Sequence, residues 1–498
     1  MEGSTVSREI GFRGYDDTTP PEFLSRGWLK DALNSFIEGG KIVKRGGYSA
    51  LGTTVGAYPC QGLKGVRFAN GTKRTYAVFN GAIYYRTGSG NYTLLGGTLS
   101  TTAQVEIVVA NNAVYFLDGV NTVPKVDSAN TLTTVGSIPL GTFGRWFHNQ
   151  FHVAGVAATP NTLYSSDLGD PENFSTGIYT AVGINPNDGD EITGLNEINN
   201  TLVVTKKNRI WALSGLGTTA LTVNDLVEYA SGSGNMSNRS LVNTGDDLYF
   251  VSFFGQKIHI RSLAKTSNAT VIDGGIISKS IEVSLDSVNK SRLNQTAGAF
   301  DGKNIWLSFP ASGETTNSLV FCYNIFNKGW TRQTGINASV FDIFSVGTEP
   351  QMYFGDSRSV GFVHIFDGST SDNGSAINWG VKSRRYGGAN PESRAKWRWL
   401  YVGAKETGDY DVTIDYSLDG FSYTNLATFN LAGSGATFDD ILLDTSRIGS
   451  TDVRQKRFTI PKARNHYIDF YLHNSSASSS IEVRNWEVLS LPIQPTEL

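Results

Sequence analysis

Histidine pairs, clustered carboxylates and cysteines are the residues of this chain whose types and spacing could do chemistry. His148 and His152 are four apart, the spacing at which a helix presents two zinc ligands, but no Glu follows His148 as a helical zinc motif requires. The segment reads as a hairpin. On a strand, residues four apart share a face but lie about 13 Å from each other, too far for one metal. All six histidines are therefore expected to be turn and surface residues. Asn187-Asp188-Gly189-Asp190-Glu191 gathers three carboxylates, the hard oxygen donors calcium takes. Its spacing departs from the calcium-loop pattern, and a solvated turn is expected. Cys60 and Cys322 are the only cysteines, too few for a disulfide framework or a four-sulfur zinc site, and are expected to be buried thiols. The sequence has neither a Gly-x-Ser-x-Gly nucleophile elbow nor a phosphate loop. No catalytic, cofactor-binding or metal residue is assigned, and the expectation is that the chain is not an enzyme.

Two further turns bear on fold more than on chemistry. Ser165-Ser166-Asp167-Leu168-Gly169 resembles the Asp-box turn of sialidase-like propellers, a structural turn, though its closing aromatic is displaced. Ser417-Leu418-Asp419-Gly420-Phe421-Ser422-Tyr423 is similar to a hairpin turn of carbohydrate-binding β-sandwiches.

The elements that would hold these turns are short strands. Thr75–Phe79, Asn80-Gly81 and Ala82–Tyr85 form the strongest hairpin signal, because both turn residues tolerate the positive φ of a type I′ turn. Glu106–Ala110, Asn111-Asn112 and Ala113–Leu117 repeat it. Further turns are expected at His148-Asn149, Asn199-Asn200, Gly245-Asp246, Asp301-Gly302 and Gly355-Asp356. Successive turns fall 31 to 56 residues apart, near the roughly 40–50 residues of a four-stranded propeller blade. A solenoid or stacked sandwiches would yield the same hairpins, but a ring of blades is the usual way to hide the sheet edges that a long run of hairpins would otherwise expose. The expected fold is all-β: an N-terminal arm over 1–60, a six- to seven-bladed β-propeller-like domain over 61–380, and a C-terminal β-sandwich over 381–498. In the arm, Leu29, Ala32, Leu33, Phe36 and Ile37 have helical spacing, but Gly39-Gly40 between two strand-like runs favours a hairpin. The stretch from Tyr386 to Ser393 reads as a linker. Just beyond it, alternation places Trp397 and Trp399 on one strand face and Lys396 and Arg398 on the other. These four are the candidate interface residues, since Arg is enriched where chains meet.

Composition narrows the function classes. Hydrophobic residues at 39% and aromatics at 11% exclude a disordered chain. The balance of 42 basic against 45 acidic residues, net −3, lacks the basic excess of a dedicated nucleic-acid binder. The first residues, Met1 to Ser7, do not read as a signal peptide, and no stretch approaches the 18 apolar residues of a membrane helix.

Several segments, read in order, resemble the nozzle, or tail tubular protein B, of short-tailed bacteriophages, a family that includes packaged-DNA stabilisation proteins. They are Ala32-Leu33-Asn34 with Gly40 to Tyr48, where Gly46 stands in the place of the usual proline; Leu163 to Phe174, containing Gly169-Asp170-Pro171-Glu172; and Asp188–Leu195 through Leu202–Trp211. The resemblance implies a homohexameric ring below the portal and tail adaptor protein, forming the DNA-ejection channel and helping to retain packaged DNA. It places the chain in the virion tail, assembled in the host cytoplasm, with tail fibre or needle proteins as further partners and phage double-stranded DNA in transit. No cofactor and no enzymatic activity come with it. The alternative is a glycan-binding or glycan-cleaving propeller with a carbohydrate-binding-like sandwich.

Overall fold

The computed structural model describes residues 5–213, 226–267, 275–347, 349–387, 394–432 and 453–492, and divides into two units. One comprises 49–320 and 336–366; the other comprises 1–48, 321–335 and 367–498. The chain is thus not three consecutive domains: its first and last segments share a unit, because strands from both ends are hydrogen-bonded in the same sheets.

The 49–320/336–366 unit is a propeller with six blades, each a separate hydrogen-bonded sheet. The first blade runs Cys60–Arg67, Lys73–Phe79, Ala82–Arg86, Thr93–Gly96. The second begins at Glu106–Ala110, the third at Phe143–Phe147, the fourth at Ile192–Ile198 and the fifth at Val242–Asn243. The closing blade orders Ala338–Phe344, Gln351–Asp356 and Val363–Ile365, then takes its outermost strand, Ser49–Ala50, from the other end of the unit. Between the fifth and closing blades, the hairpin Ala297–Phe300/Asn304–Pro310 occupies a further place in the ring. Leading strands neighbour one another in turn, and the closing blade's leading strand packs against Cys60–Arg67.

Blade stacking explains a departure from simple alternation. Ala113–Leu117 and Gln150–Ala154 are buried at every position. Each blade is covered on both faces, so both alternating sets are core. Tyr76 and Val78 pack with Ile107, Val114 and Phe116 of the second blade. Ala77 and Phe79 instead face Val340, Tyr353 and Val363 of the closing blade. Each large aliphatic or aromatic side chain removed from water this way contributes about 1.5–3 kcal/mol.

The tight turns follow their local chemistry. Asn80 and Gly81 sit at φ 48° and 72°, Asn111 and Asn112 at 41° and 62°, and His148 and Asn149 at 49° and 56°. Gly355-Asp356, by contrast, ends a strand rather than turning; the closing blade turns between Phe344 and Gln351. Gly355 is there for close approach: a Cβ would stand 2.4 Å from Cys60 Sγ.

In the other unit, the hairpin Ser35–Glu38/Lys41–Lys44 forms as expected, turning through Gly39 and Gly40. One sheet orders Val453–Asn465, Ala395–Lys405, Glu482–Pro492, Lys41–Lys44 and Ser35–Glu38, with Thr5–Ile10 also paired to Glu482–Pro492. A second path joins Gly329–Gln333, Asp31–Leu33, Trp379–Lys382, Tyr467–Asn474, Asp411–Leu418 and Thr424–Asn430. The C-terminal strands exist where expected, but N-terminal strands complete both sheets, so 381–498 is not a self-contained sandwich. A buried pair, Arg45 with Asp372, ties the segments together, with Arg45 Nε donating to Asn34 Oδ1 at 3.0 Å. Of the expected linker, Tyr386-Gly387 pairs with Tyr467-Ile468, while 388–393 lie outside the described residues.

Candidate functional site

The leading strands of the propeller carry charged residues into its centre: Lys64, Glu106, Arg145, Glu197 and Asp342. A short 3-10 segment, Asn238–Ser240, adds Arg239. Each group has protein partners. Lys64 Nζ lies 2.8 Å from Asp342 Oδ1, whose other oxygen accepts the Gly65 N–H at 2.6 Å. Arg145 pairs with Glu197 at 3.1 Å. Arg239 reaches three blades, donating to Ser339 O at 3.1 Å, to Gln61 O, and to Val105 O at 2.9 Å just ahead of the second blade's leading strand. Burial pushes the Glu106 carboxyl above its ordinary pKa, against the opposing pull of Arg239, Arg145 and Lys64. Desolvation lowers Arg239, while Glu106 supports its charge.

Glu106, Asn238 and Arg239 form a shared wall between two hollows, a cavity of about 810 Å³ and a smaller one of about 350 Å³. The larger is lined from the second, third and fourth blades, by the segment 236–239 and by the 3-10 turn Lys290–Gln295. Sequence reading did not single out this centre. Arg239 has no motif around it, and its role exists only once the ring brings Gln61, Val105 and Ser339 together.

The acidic turns are structural, and less solvated than expected. Lys206 Nζ sits 2.8 and 2.9 Å from the two Asp188 oxygens, and both side chains are buried. Burial alone would raise the Asp188 pKa; the hydrogen bonds and charge of Lys206 bring it below the usual carboxylate range. Asp190 accepts the backbone amides of Lys207 and Asn208 at 3.2 and 2.8 Å. The loop's two aspartates are thus committed to protein donors. Asp167 accepts the amides of Leu168 and Ile178, both at 2.9 Å. Asp419 accepts the Tyr467 amide at 2.8 Å and Asn465 Nδ2 at 2.9 Å, and Phe421 on that turn is 76% exposed.

The histidines are not all surface residues. His152, His259 and His364 are buried. His152 lies on the second strand of the third blade, covered by the adjoining blade, with Nδ1 2.8 Å from Ser165 Oγ. Burial pulls its pKa down to about 4. His148, in the turn, lies 2.7 Å from Asn200 Oδ1, so the two histidines have separate partners. Cys60 and Cys322 are buried free thiols, and burial raises Cys60 to about 12. Among the described residues no group of three or more His, Cys, Asp or Glu side chains is placed to hold a metal.

The candidate interface residues lie on Ala395–Lys405, but not on the faces alternation assigned. The pairing register slips between Trp397 and Trp399 on both neighbouring strands, making Arg398 a bulge residue. A bulge adds one residue and inverts the faces beyond it. Trp397 is core, 2% exposed, and Leu400 and Val402 continue its face. Trp399 therefore turns to the opposite face, where the Arg457 guanidinium lies 5.4 Å from its ring centroid. Across the strands Trp399 is level with Thr459 and Leu489, and Leu489 with Val6, which is 52% exposed. Arg8 and Glu487 pair at 2.5 Å one step along. Lys396 stands opposite Arg464, and the Arg398 Nε is buried without a hydrogen-bond partner.

No family model matches the chain, and neither does any curated protein. Among solved structures it is similar to the WD40 domain of Neurospora crassa Pan2, at 10% identity over 64% of this chain and 95% of that one, TM-score 0.41. It is also similar to an exo-β-1,3-galactanase from Phanerochaete chrysosporium, at 10% identity over 88% and 99% of the two chains, TM-score 0.28. The blade assignment rests on the hydrogen-bonded sheets themselves.

Proposed function

We propose that this chain is a structural subunit of the tail nozzle of a short-tailed bacteriophage, assembling into a homohexameric ring that contributes the DNA-ejection channel and helps to retain packaged DNA. The sequence resemblance motivates the reading, and one observation supports it on physical grounds. Four of the charged groups that enter the propeller centre are paired with one another, Lys64 with Asp342 and Arg145 with Glu197. Arg239 binds three blades together through backbone carbonyls, and Glu106 has the Asn238 side chain as its hydrogen-bond partner. That is how a rigid building block treats its interior charge. Glycosidic hydrolysis would instead need two carboxylates held free to act as acid and as base or nucleophile. Here Glu197 and Asp342 are each taken up by a cation, which leaves Glu106 as the single carboxylate of the five strand residues outside an ion pair, one where two are needed. The protein is accordingly proposed to have no catalytic centre.

The sheet face carrying Trp399, Leu489 and Val6 is the proposed subunit contact, with Lys396 at its margin facing an acidic surface. Mass photometry of the purified protein, followed by negative-stain imaging, tests the reading. Six-fold rings are expected; a monomer at micromolar concentration that turns over a glycan substrate overturns it.

A further inference from the structure

The larger propeller cavity has a composition that a rigid building block does not require. Its volume of about 810 Å³ falls in the range of about 300–1,000 Å³ typical of small-ligand sites. Its lining also contains groups that no protein partner uses. Asp118 is committed to the amides of Ser100, Val120 and Asn121, and Lys207 and Lys290 pair with Glu191 and Asp286. Arg292, Gln104 and Asn294 line the same cavity, are exposed, and their side chains form no hydrogen bond or ion pair among the described residues. Arg292 also has a non-helical backbone, φ −121° and ψ 23°, where the 3-10 turn kinks. At the floor, Glu106 and Arg239 offset each other's charge. Half-buried Phe143 supplies an apolar ring.

The chemistry left over is therefore one guanidinium, two primary amides and one aromatic face, around a space larger than an inorganic ion fills. A guanidinium forks onto a carboxylate. Amides both donate to and accept from hydroxyls. An aromatic ring packs on the C–H face of a saturated ring. We infer that this cavity binds a small carboxylated sugar of the uronic-acid class, with Arg292 holding the carboxylate, Gln104 and Asn294 the hydroxyls, and Phe143 the apolar face. The site lies wholly within the propeller unit and stands independently of the nozzle reading.

The test is calorimetric titration of the full-length protein with D-glucuronate, methyl glucoside and inorganic phosphate, each alone. Saturable binding of glucuronate is expected, about tenfold or more tighter than the glucoside, with phosphate weaker still. Arg292→Gln should erase the preference for glucuronate over the glucoside with melting temperature unchanged, since the side chain is exposed and unpaired. Gln104→Ala should weaken both sugars together. Absence of saturable glucuronate binding up to about 10 mM overturns the proposal. So does phosphate binding as tightly as glucuronate, which would mark a simple anion site, or an unaltered preference in Arg292→Gln.

Discussion

His152 shows how burial converts a titratable group into a pH-dependent liability. Its folded pKa of about 4 lies below the ordinary value of 6.5. Between those values the unfolded chain binds a proton that the native state refuses. The stability of neutral His152 is therefore fully present above pH 6.5 and lost as pH falls toward 4. The loss amounts to about 3 kcal/mol. Thermal melts of the wild type should fall across that window, and those of His152→Gln should fall less steeply. Asp188 makes a second residue-level case. Asp188→Asn leaves Lys206 charged and buried, and should cost about 3–5 kcal/mol in denaturant unfolding. Added calcium or EDTA should leave the wild-type melting temperature unchanged, because Lys206 already occupies the place of a cation. The acidic turn was readable as a turn from its residues. That its carboxylate is buried was not, because Lys206 lies 18 residues away, on a strand that the turn's own residues do not point to.

At the scale of elements, Arg239 acts as a tie across the ring. Removing it as Arg239→Met takes a donor from three inner carbonyls, of which Gln61 O keeps the Val105 amide, and deprives Glu106 of its strongest compensating charge. A loss of about 3 kcal/mol or more is expected, with hydrogen exchange quickening first at the Cys60–Arg67 and Ala338–Phe344 strands. The hairpins were legible because Asn-Gly and Asn-Asn state a backbone requirement, positive φ, in the residue type itself. Gly355-Asp356 misled because the same glycine can serve packing instead of turning. The bulge at Arg398 left no mark: an extra residue in a strand changes register, not composition, and so the faces of Trp397 and Trp399 were misassigned. Equally hidden was the pairing of Thr5–Ile10 with the strand ending at Pro492, since no local pattern encodes a partner so distant in sequence.

For the molecule as a whole, the corrected faces redirect the assembly experiment. Arg398 is partly enclosed, so reversing its charge would disturb the strand as well as any contact. Lys396→Glu combined with Trp399→Ala changes the outer face alone. This variant should shift the mass distribution from ring toward monomer, with a melting temperature close to wild type. The net charge of −3 per chain makes a further prediction. A ring of such subunits should hold duplex DNA weakly, with a filter-binding Kd weaker than about 1 µM even at low salt. Tighter, steeply salt-dependent binding would reveal a phosphate-gripping surface instead. The two-residue strand Ser49–Ala50 sets a timetable. It is made before every blade, yet its partner Val363–Ile365 is made after nearly all of them. At about 5–20 residues per second, the ribosome leaves that strand unmated for on the order of 15–60 s. The propeller therefore spends most of its synthesis as an open arc with one raw edge, and chaperone dependence during translation should exceed that during refolding of the finished chain.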